Sequence, residues 1–115
     1  MARTDSQVLH PVHVRQLAAL SNRSLDDLMD NYLPDAALLR YDGVWAGTAA
    51  LRELFTGYLS LEPTLIGFTE YVQTDDTVFY RAVMRLGGVA TNTFGTLVVK
   101  HGKIWRQTAG FLSGS

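Results

Sequence analysis

The sequence contains no cysteine. This absence excludes disulfide bonds, thiolate metal sites and a cysteine nucleophile, and it favours a reducing, cytoplasmic location. No two Lys or Arg residues are adjacent, and the formal net charge is -1, so we expect no nucleic-acid partner. No apolar run approaches the length of a membrane span and no secretion signal is evident, so we expect no membrane partner either.

Prolines are few, and each of the three marks a predicted boundary. Helix 1 begins with Pro11 in its first turn and ends near Ser21. The dipeptide Pro34-Asp35 predicts a turn, and Pro63 ends helix 3 because the residue before a proline disfavours helical geometry.

The chain is 115 residues long, of which 47% are hydrophobic and 18% charged. This length predicts a single domain over residues 1–115, with its core at about 10–112 and frayed ends at 1–7 and 113–115. So few charged residues leave little polar surface for an isolated monomer, and we therefore expect a homodimer.

Residues 24–59 predict two helices separated by a hairpin. Ser24 caps helix 2, whose buried stripe comprises Leu25, Leu28, Met29 and Tyr32. The strand Ala36–Tyr41 pairs with residues 44–46 through the turn Asp42-Gly43. Thr48 is the expected N-cap of helix 3, which buries Leu51, Leu54, Phe55, Tyr58 and Leu59.

The second half of the chain predicts four strands joined by short turns: Thr64–Gln73, Thr77–Leu86, Val89–Val99 and Lys103–Phe111. Such turns favour an antiparallel meander, and helices followed by such strands indicate an α+β fold. Alternation along the second long strand places Val78, Tyr80, Ala82, Met84 and Leu86 inside. The outward set, Phe79, Arg81, Val83 and Arg85, is the expected homodimer surface.

Three segments resemble one family: residues 18–26, Tyr32-Leu33-Pro34-Asp35-Ala36 and the helix opening at 47–53. With the strand-rich second half, they are similar to the nuclear transport factor 2-like superfamily, which includes ketosteroid isomerases and SnoaL-like polyketide cyclases. The resemblance covers roughly residues 10–112. It implies a cone-shaped barrel in which a curved, mainly antiparallel sheet carries three N-terminal helices on its concave face, around a pocket.

The resemblance also implies which catalytic groups are missing. Ketosteroid isomerases use an Asp base, a Tyr and a carboxylic acid that an apolar site keeps protonated. In this sequence the position of the Asp base holds Arg40 and the position of the Tyr holds Gln16. The position of the carboxylic acid falls near Gly95. Steroid isomerisation by that mechanism is therefore not expected.

Arg40 is the first candidate for chemistry. Inside an apolar cone its guanidinium would need an anionic or enolate-like ligand, because a buried unpaired cation is costly. The alternative is an ion pair with Asp42 or Asp35 at the rim. Asp42 in turn is either the partner of Arg40, a base, or a plain turn residue.

His13 and Gln16 are spaced to share one face of helix 1. His13 could act as a general base or acid, or it could be a partly exposed helix histidine. His10 and His13 lack a third nearby ligand, so we expect no metal site.

Gln107 alternates with Trp105, Ala109 and Phe111, which places its amide among inward apolar groups and demands a partner such as Arg40, Thr93 or a ligand. The expected catalytic residues are Arg40, His13 and Asp42. The expected substrate-binding residues are Gln16, Trp45, Phe55, Tyr58, Tyr80, Met84, Thr93, Trp105, Gln107 and Phe111. Large groups around Ala82, Gly95 and Ala109 predict a cavity for a flat, hydrophobic ligand.

Two functions remain open. One is an isomerase or cyclase that transfers a proton on a small hydrophobic carbonyl compound and needs no cofactor. The other is a non-catalytic small-molecule-binding or assembly module. Epoxide hydrolysis would need an Asp-Arg-Asp set that the inward strand positions do not supply.

Overall fold

The computed structural model describes residues 8–112, so the ends that we expect to be frayed lie outside the described residues. Within this range the helices are α1 (Pro11–Ser21), α2 (Leu25–Asp30) and α3 (Thr48–Leu59). The strands are β1 (Tyr32–Arg40), β2 (Gly43–Ala46), β3 (Thr64–Gln73), β4 (Thr77–Leu86), β5 (Val89–Lys100) and β6 (Lys103–Phe111).

The six strands form one sheet in the order β2-β1-β6-β5-β4-β3. Every neighbouring pair is antiparallel except β1 with β6, which is parallel. The predicted α+β fold and its four-strand meander are confirmed, and the ends of the meander strands agree within one residue. The helices cover the concave face, where helix and sheet side chains share one hydrophobic cluster.

Helix ends follow local capping chemistry, with one correction. Pro11 lies in the first turn of α1, and the Ser24 hydroxyl accepts a hydrogen bond from the Asp27 amide at 3.2 Å, both as predicted. Thr48 is not the N-cap of α3, because the helix already includes it. The cap is Gly47 at φ 87°, a left-handed value that glycine adopts without strain.

Strand β1 begins earlier than predicted. Pro34 and Asp35 lie within the strand rather than in a turn. They fall in the part of β1, between Tyr32 and Ala37, where the register against β6 shifts. A proline fits there because the irregular segment needs no ladder hydrogen bond from its nitrogen. Tyr32 therefore opens β1 and is not part of the α2 stripe.

Alternation along β4 is as predicted: Val78, Ala82 and Met84 are buried, while Arg81 and Arg85 are exposed. Strand β6 departs from simple alternation, because its register against β5 shifts between Val98 and Val99. Ile104 and Gln107 are both buried although they are three residues apart. The predicted place of Trp105 on the inward row is therefore wrong.

Within residues 8–112, no helix is long and apolar enough to span a bilayer.

Candidate ligand-binding cavity

A cavity of about 340 Å³ lies between α1, α3 and the concave face of the sheet. This volume is near the lower end of the range for small-molecule sites. Its wall is mainly hydrocarbon, contributed by residues that include Leu17, Leu38, Phe55, Phe68, Ala82 and Met84. Such a wall favours a hydrophobic ligand, because a polar one would lose its hydration against too few partners.

Seven polar side chains interrupt this apolar wall: His13, Gln16, Arg40, Tyr58, Tyr80, Thr93 and Gln107. No Asp or Glu lines the cavity within the described chain. Burial raises the pKa of Tyr58 to about 12 and raises the pKa of Tyr80 further. Both phenols therefore stay protonated near neutral pH and can donate hydrogen bonds to a ligand.

His13 is buried in the wall with only 3% of its surface exposed. Its Nδ1 lies 3.0 Å from the Tyr71 hydroxyl, which also accepts a hydrogen bond from the His10 amide at 3.1 Å. The rings of Tyr80 and Phe68 lie 4.9 and 5.4 Å from the imidazole. Burial, with a smaller contribution from His10, lowers the pKa of His13 to about 4. The imidazole is therefore uncharged at neutral pH.

Gln16 and Gln107 are joined through Tyr32, which the sequence analysis assigned to the stripe of helix 2 rather than to the site. Gln16 Nε2 donates to the Tyr32 hydroxyl at 2.7 Å, and this hydroxyl donates to Gln107 Oε1. Gln16 and Gln107 are 6% and 7% exposed, and both line the cavity. Burial raises the pKa of Tyr32 well above its ordinary value. The phenol therefore stays protonated at neutral pH and can act as the hydrogen-bond donor to Gln107.

Arg40 both lines the cavity and forms an ion pair with Asp42, which the sequence analysis treated as alternatives. Its side chain is 28% exposed and lines the cavity, yet Nε and Nη2 both bond to the Asp42 carboxylate at 3.0 Å. The guanidinium also lies 4.7 Å from the Trp45 ring centroid. The hydrogen bond from Arg40 lowers the pKa of Asp42. Arg40 is thus held at the cavity wall by its ion pair with Asp42.

Most of the predicted site residues line the cavity: His13, Gln16, Arg40, Phe55, Tyr58, Tyr80, Met84, Thr93, Gln107 and Phe111. Three do not. Asp42 is exposed beside Arg40, and Trp45 packs beneath the same guanidinium and against the core. Trp105 packs against Arg106 and Lys100, at 3.9 and 4.9 Å from its ring centroid, because of the irregularity in β6.

Four aromatic residues of the site were not predicted from the sequence: Tyr32, Phe68, Tyr71 and the cavity-lining Phe94. Phe68 lines the cavity and Tyr71 holds His13, but β3 has two register shifts that obscure its alternation. Tyr32 fitted the helical spacing of α2, so its place in the sheet was hidden. The proximity of Tyr32 to Pro34-Asp35 was the one local feature of the sequence that could have indicated its place in the sheet.

No group of three His, Cys, Asp or Glu side chains suited to a metal ion occurs within residues 8–112. His10, which could have joined His13 in a metal site, is committed elsewhere. Its Nδ1 accepts the Val12 amide hydrogen at 3.1 Å, and Nε2 lies 2.8 Å from the Asp75 carbonyl oxygen. Both ring nitrogens of His10 therefore have protein partners.

Comparison with known proteins gave no matching family model and no matching curated sequence. Solved structures do match. One, assigned by name to the ketosteroid isomerases, is from Kribbella flavida: TM-score 0.80, 14% identity, 92% of this chain and 78% of the other. A second, assigned to the polyketide cyclases, is from Sinorhizobium meliloti: TM-score 0.75, 17% identity, 95% and 100% coverage. The third is TerC co-crystallised with polyporic acid: TM-score 0.73, 15% identity, 88% of both chains. At these identities the likeness establishes a shared fold.

Proposed function

This chain has the nuclear transport factor 2-like fold, and on that basis we propose that its cavity binds a small hydrophobic carbonyl compound and transfers a proton on it. The reaction class is that of an isomerase or cyclase. The fold supports a pocket protein, and the chemistry is inferred from the side chains around the cavity.

His13 carries the proposal. It is an uncharged imidazole at neutral pH, it lies in the cavity wall, and the Tyr71 hydroxyl holds one of its nitrogens. A base must be unprotonated and oriented toward the proton that it removes. Among the described lining residues, which include no carboxylate, His13 is the side chain that best meets both conditions.

Hydrogen-bond donors would stabilise the oxygen on which negative charge develops. The amide of Gln107 and the phenols of Tyr58 and Tyr80 line the same cavity, and Arg40 lies at its wall. Gln16 instead bonds to Tyr32 and supports Gln107 indirectly. Asp42 is proposed to orient Arg40 rather than to act as the base.

Deuterium exchange on 2-tetralone, a flat ketone with acidic α-hydrogens, tests this function. Proton NMR in D₂O should show catalysed loss of the α-hydrogen signals. His13→Phe keeps an aromatic ring in the pocket and should lower the exchange rate by about 10²- to 10⁴-fold, with little change in Kd. His101→Asn, which removes an exposed imidazole from a left-handed turn, is the matched control and should exchange at the wild-type rate.

The second candidate function is a non-catalytic binding module. It is favoured by the lack of a carboxylate among the described lining residues and by the pairing of Arg40 with Asp42. Saturable binding of 2-tetralone without any exchange above the buffer rate would select this alternative and reject proton transfer.

We also propose a homodimer built on the outer face of the sheet. A row of directly paired residues crosses all six strands on this face: Val44, Leu39, Thr108, Thr96, Phe79 and Val72. Val44 and Val72 are 65% and 63% exposed, and Phe79 is 41% exposed. Four of these six residues are apolar and two are threonines, and a largely apolar row of this kind is typical of a surface that another subunit covers. A cytoplasmic location stays a prediction.

A further inference from the structure

The two glutamines of the cavity belong to a longer chain of hydrogen bonds that starts at the protein surface. We call this chain the amide relay: Arg15, Asn31, Gln16, Tyr32 and Gln107. It runs from an exposed cation on α1 to a buried amide at the cavity wall. The relay matters because amide groups can present either a donor or an acceptor, and their neighbours decide which.

Two groups at the outer end fix the orientation of Asn31. Arg15 Nε, which can only donate, lies 3.0 Å from Asn31 Oδ1. The Val12 carbonyl oxygen, which can only accept, lies 3.0 Å from Asn31 Nδ2. These contacts are independent, and both require that the amide oxygen of Asn31 faces Arg15 and its nitrogen faces Val12.

This orientation propagates along the relay. The same Asn31 nitrogen donates to Gln16 at 3.2 Å, so Gln16 must present its oxygen there and its Nε2 to Tyr32. Tyr32 thus accepts from Gln16 and uses its own proton for Gln107, which must present Oε1. Gln107 Nε2 is left without a hydrogen-bond acceptor within residues 8–112, although the side chain is 7% exposed and lines the cavity.

We propose that the amide relay makes Gln107 a fixed donor, so the cavity selects ligands that place a hydrogen-bond acceptor oxygen, such as a ketone or quinone carbonyl, against Gln107 Nε2. Tyr32 is the positioning residue that transmits this polarity. A ligand that places an N–H at the same spot leaves two donors facing each other, and an unmade buried hydrogen bond is costly. The inference rests on the proposed function in taking this cavity as the ligand site.

Three rigid tricyclic probes of one shape separate donor from acceptor recognition. They are 9-fluorenone, which offers only a carbonyl acceptor, carbazole, which offers an N–H donor, and fluorene, which offers neither. Titration calorimetry on the full chain should show 9-fluorenone binding at least about tenfold tighter than carbazole, a difference of about 1.4 kcal/mol. Equal binding of 9-fluorenone and carbazole would overturn the inference.

Tyr32→Phe tests transmission through the relay. It keeps the ring beside Phe55, whose centroid lies 5.3 Å away, but frees the Gln107 amide to rotate. The preference for 9-fluorenone over carbazole should fall below about threefold, while fluorene binding is unchanged. Tyr41→Phe removes a hydroxyl from an exposed tyrosine and should keep the full preference. A purely structural role for Tyr32 would weaken all three probes equally, and that result would refute the inference.

Gln107→Leu is the second variant, should Tyr32→Phe fail to fold. It removes the terminal donor and should bring the affinity for 9-fluorenone down to that for fluorene; an unchanged affinity refutes the inference. Neither ligand of this pair can enolise, so the outcome is independent of proton transfer. Selectivity without exchange on 2-tetralone would reject the proposed catalysis alone, and exchange without selectivity would reject the amide relay alone.

Discussion

His13 makes the stability of the fold depend on pH, because burial lowers the pKa of its imidazole. The unfolded chain binds a proton at an ordinary histidine pKa of 6.5, whereas the folded state does so only at about 4. As the pH falls from 6.5 to 4, the unfolded state is therefore stabilised and the free energy of unfolding should drop by about 3 kcal/mol. Urea titrations at pH 7, 5.5 and 4.5 should show this loss, which His13→Phe should lack. An identical pH dependence in both proteins would contradict the assignment.

The same residue sets the expected pH profile of catalysis. In the proposed function the uncharged imidazole is the base, so the exchange rate on 2-tetralone should be level from pH 8 to 5.5 and fall with a midpoint near pH 4. A midpoint between pH 6 and 7 would show an exposed, ordinary histidine instead. The rate is measured by NMR at constant ionic strength, so that screening stays the same throughout.

Arg40 should recognise charge rather than maintain the fold. Its pair with Asp42 is partly exposed, and such pairs contribute at most about 1 kcal/mol to stability. Arg40→Met should therefore fold, yet bind 2-naphthoate more weakly by roughly 1.5–3 kcal/mol, because a charge-assisted hydrogen bond is lost. Asp42→Asn releases the guanidinium and should strengthen the same binding. If fluorescence titration shows neither change, Arg40 is only a surface ion-pair partner.

At the scale of single elements, strand β5 is shaped by Gly95. A Cβ there would lie 2.6 Å from the Thr108 carbonyl oxygen and 2.8 Å from the Tyr80 hydroxyl. Gly95→Ala should therefore lower the free energy of unfolding by roughly 1–3 kcal/mol and displace Tyr80. Gly57→Ala, where a Cβ meets no atom within 4 Å, is the control and should stabilise α3 by about 0.5–1 kcal/mol. Urea denaturation compares the two, and a fully stable Gly95→Ala protein would contradict this packing.

Regular elements were predictable from sequence and irregular ones were not. Strands β3 to β6 follow from turn dipeptides and period-two patterns, which are local signals. The shifts in β1 and β6 depend on pairing between distant segments, so Tyr32 and Trp105 were misplaced. The cavity-facing positions of His13, Gln16 and Gln107 followed from periodicity and the resemblance. The hydrogen bonds that orient these three side chains could not be predicted, because they join residues on different elements.

At the scale of the whole molecule, the outer face of the sheet should determine the oligomeric state. Light scattering should give a dimer at micromolar concentration, and Phe79→Glu should give a monomer because a charge then interrupts the largely apolar row. Val89→Glu introduces the same charge at an exposed valine outside that row and should remain dimeric. A wild-type monomer, or a dimeric Phe79→Glu protein, would reject this interface.

The parallel pairing of β1 with β6 has a consequence for how the chain acquires its fold. Of the described strands, β1 comes first in the chain and its parallel neighbour β6 comes last, so β6 is synthesised well after β1. Tyr32 and Gln107, joined by a hydrogen bond, are 75 residues apart in sequence. Until that loop closes, the nascent chain exposes an unpaired strand edge and an open apolar cone, which invite aggregation. The chain should therefore become able to bind its ligand, and stop exposing surface that chaperones recognise, at the same step, when β6 docks against β1.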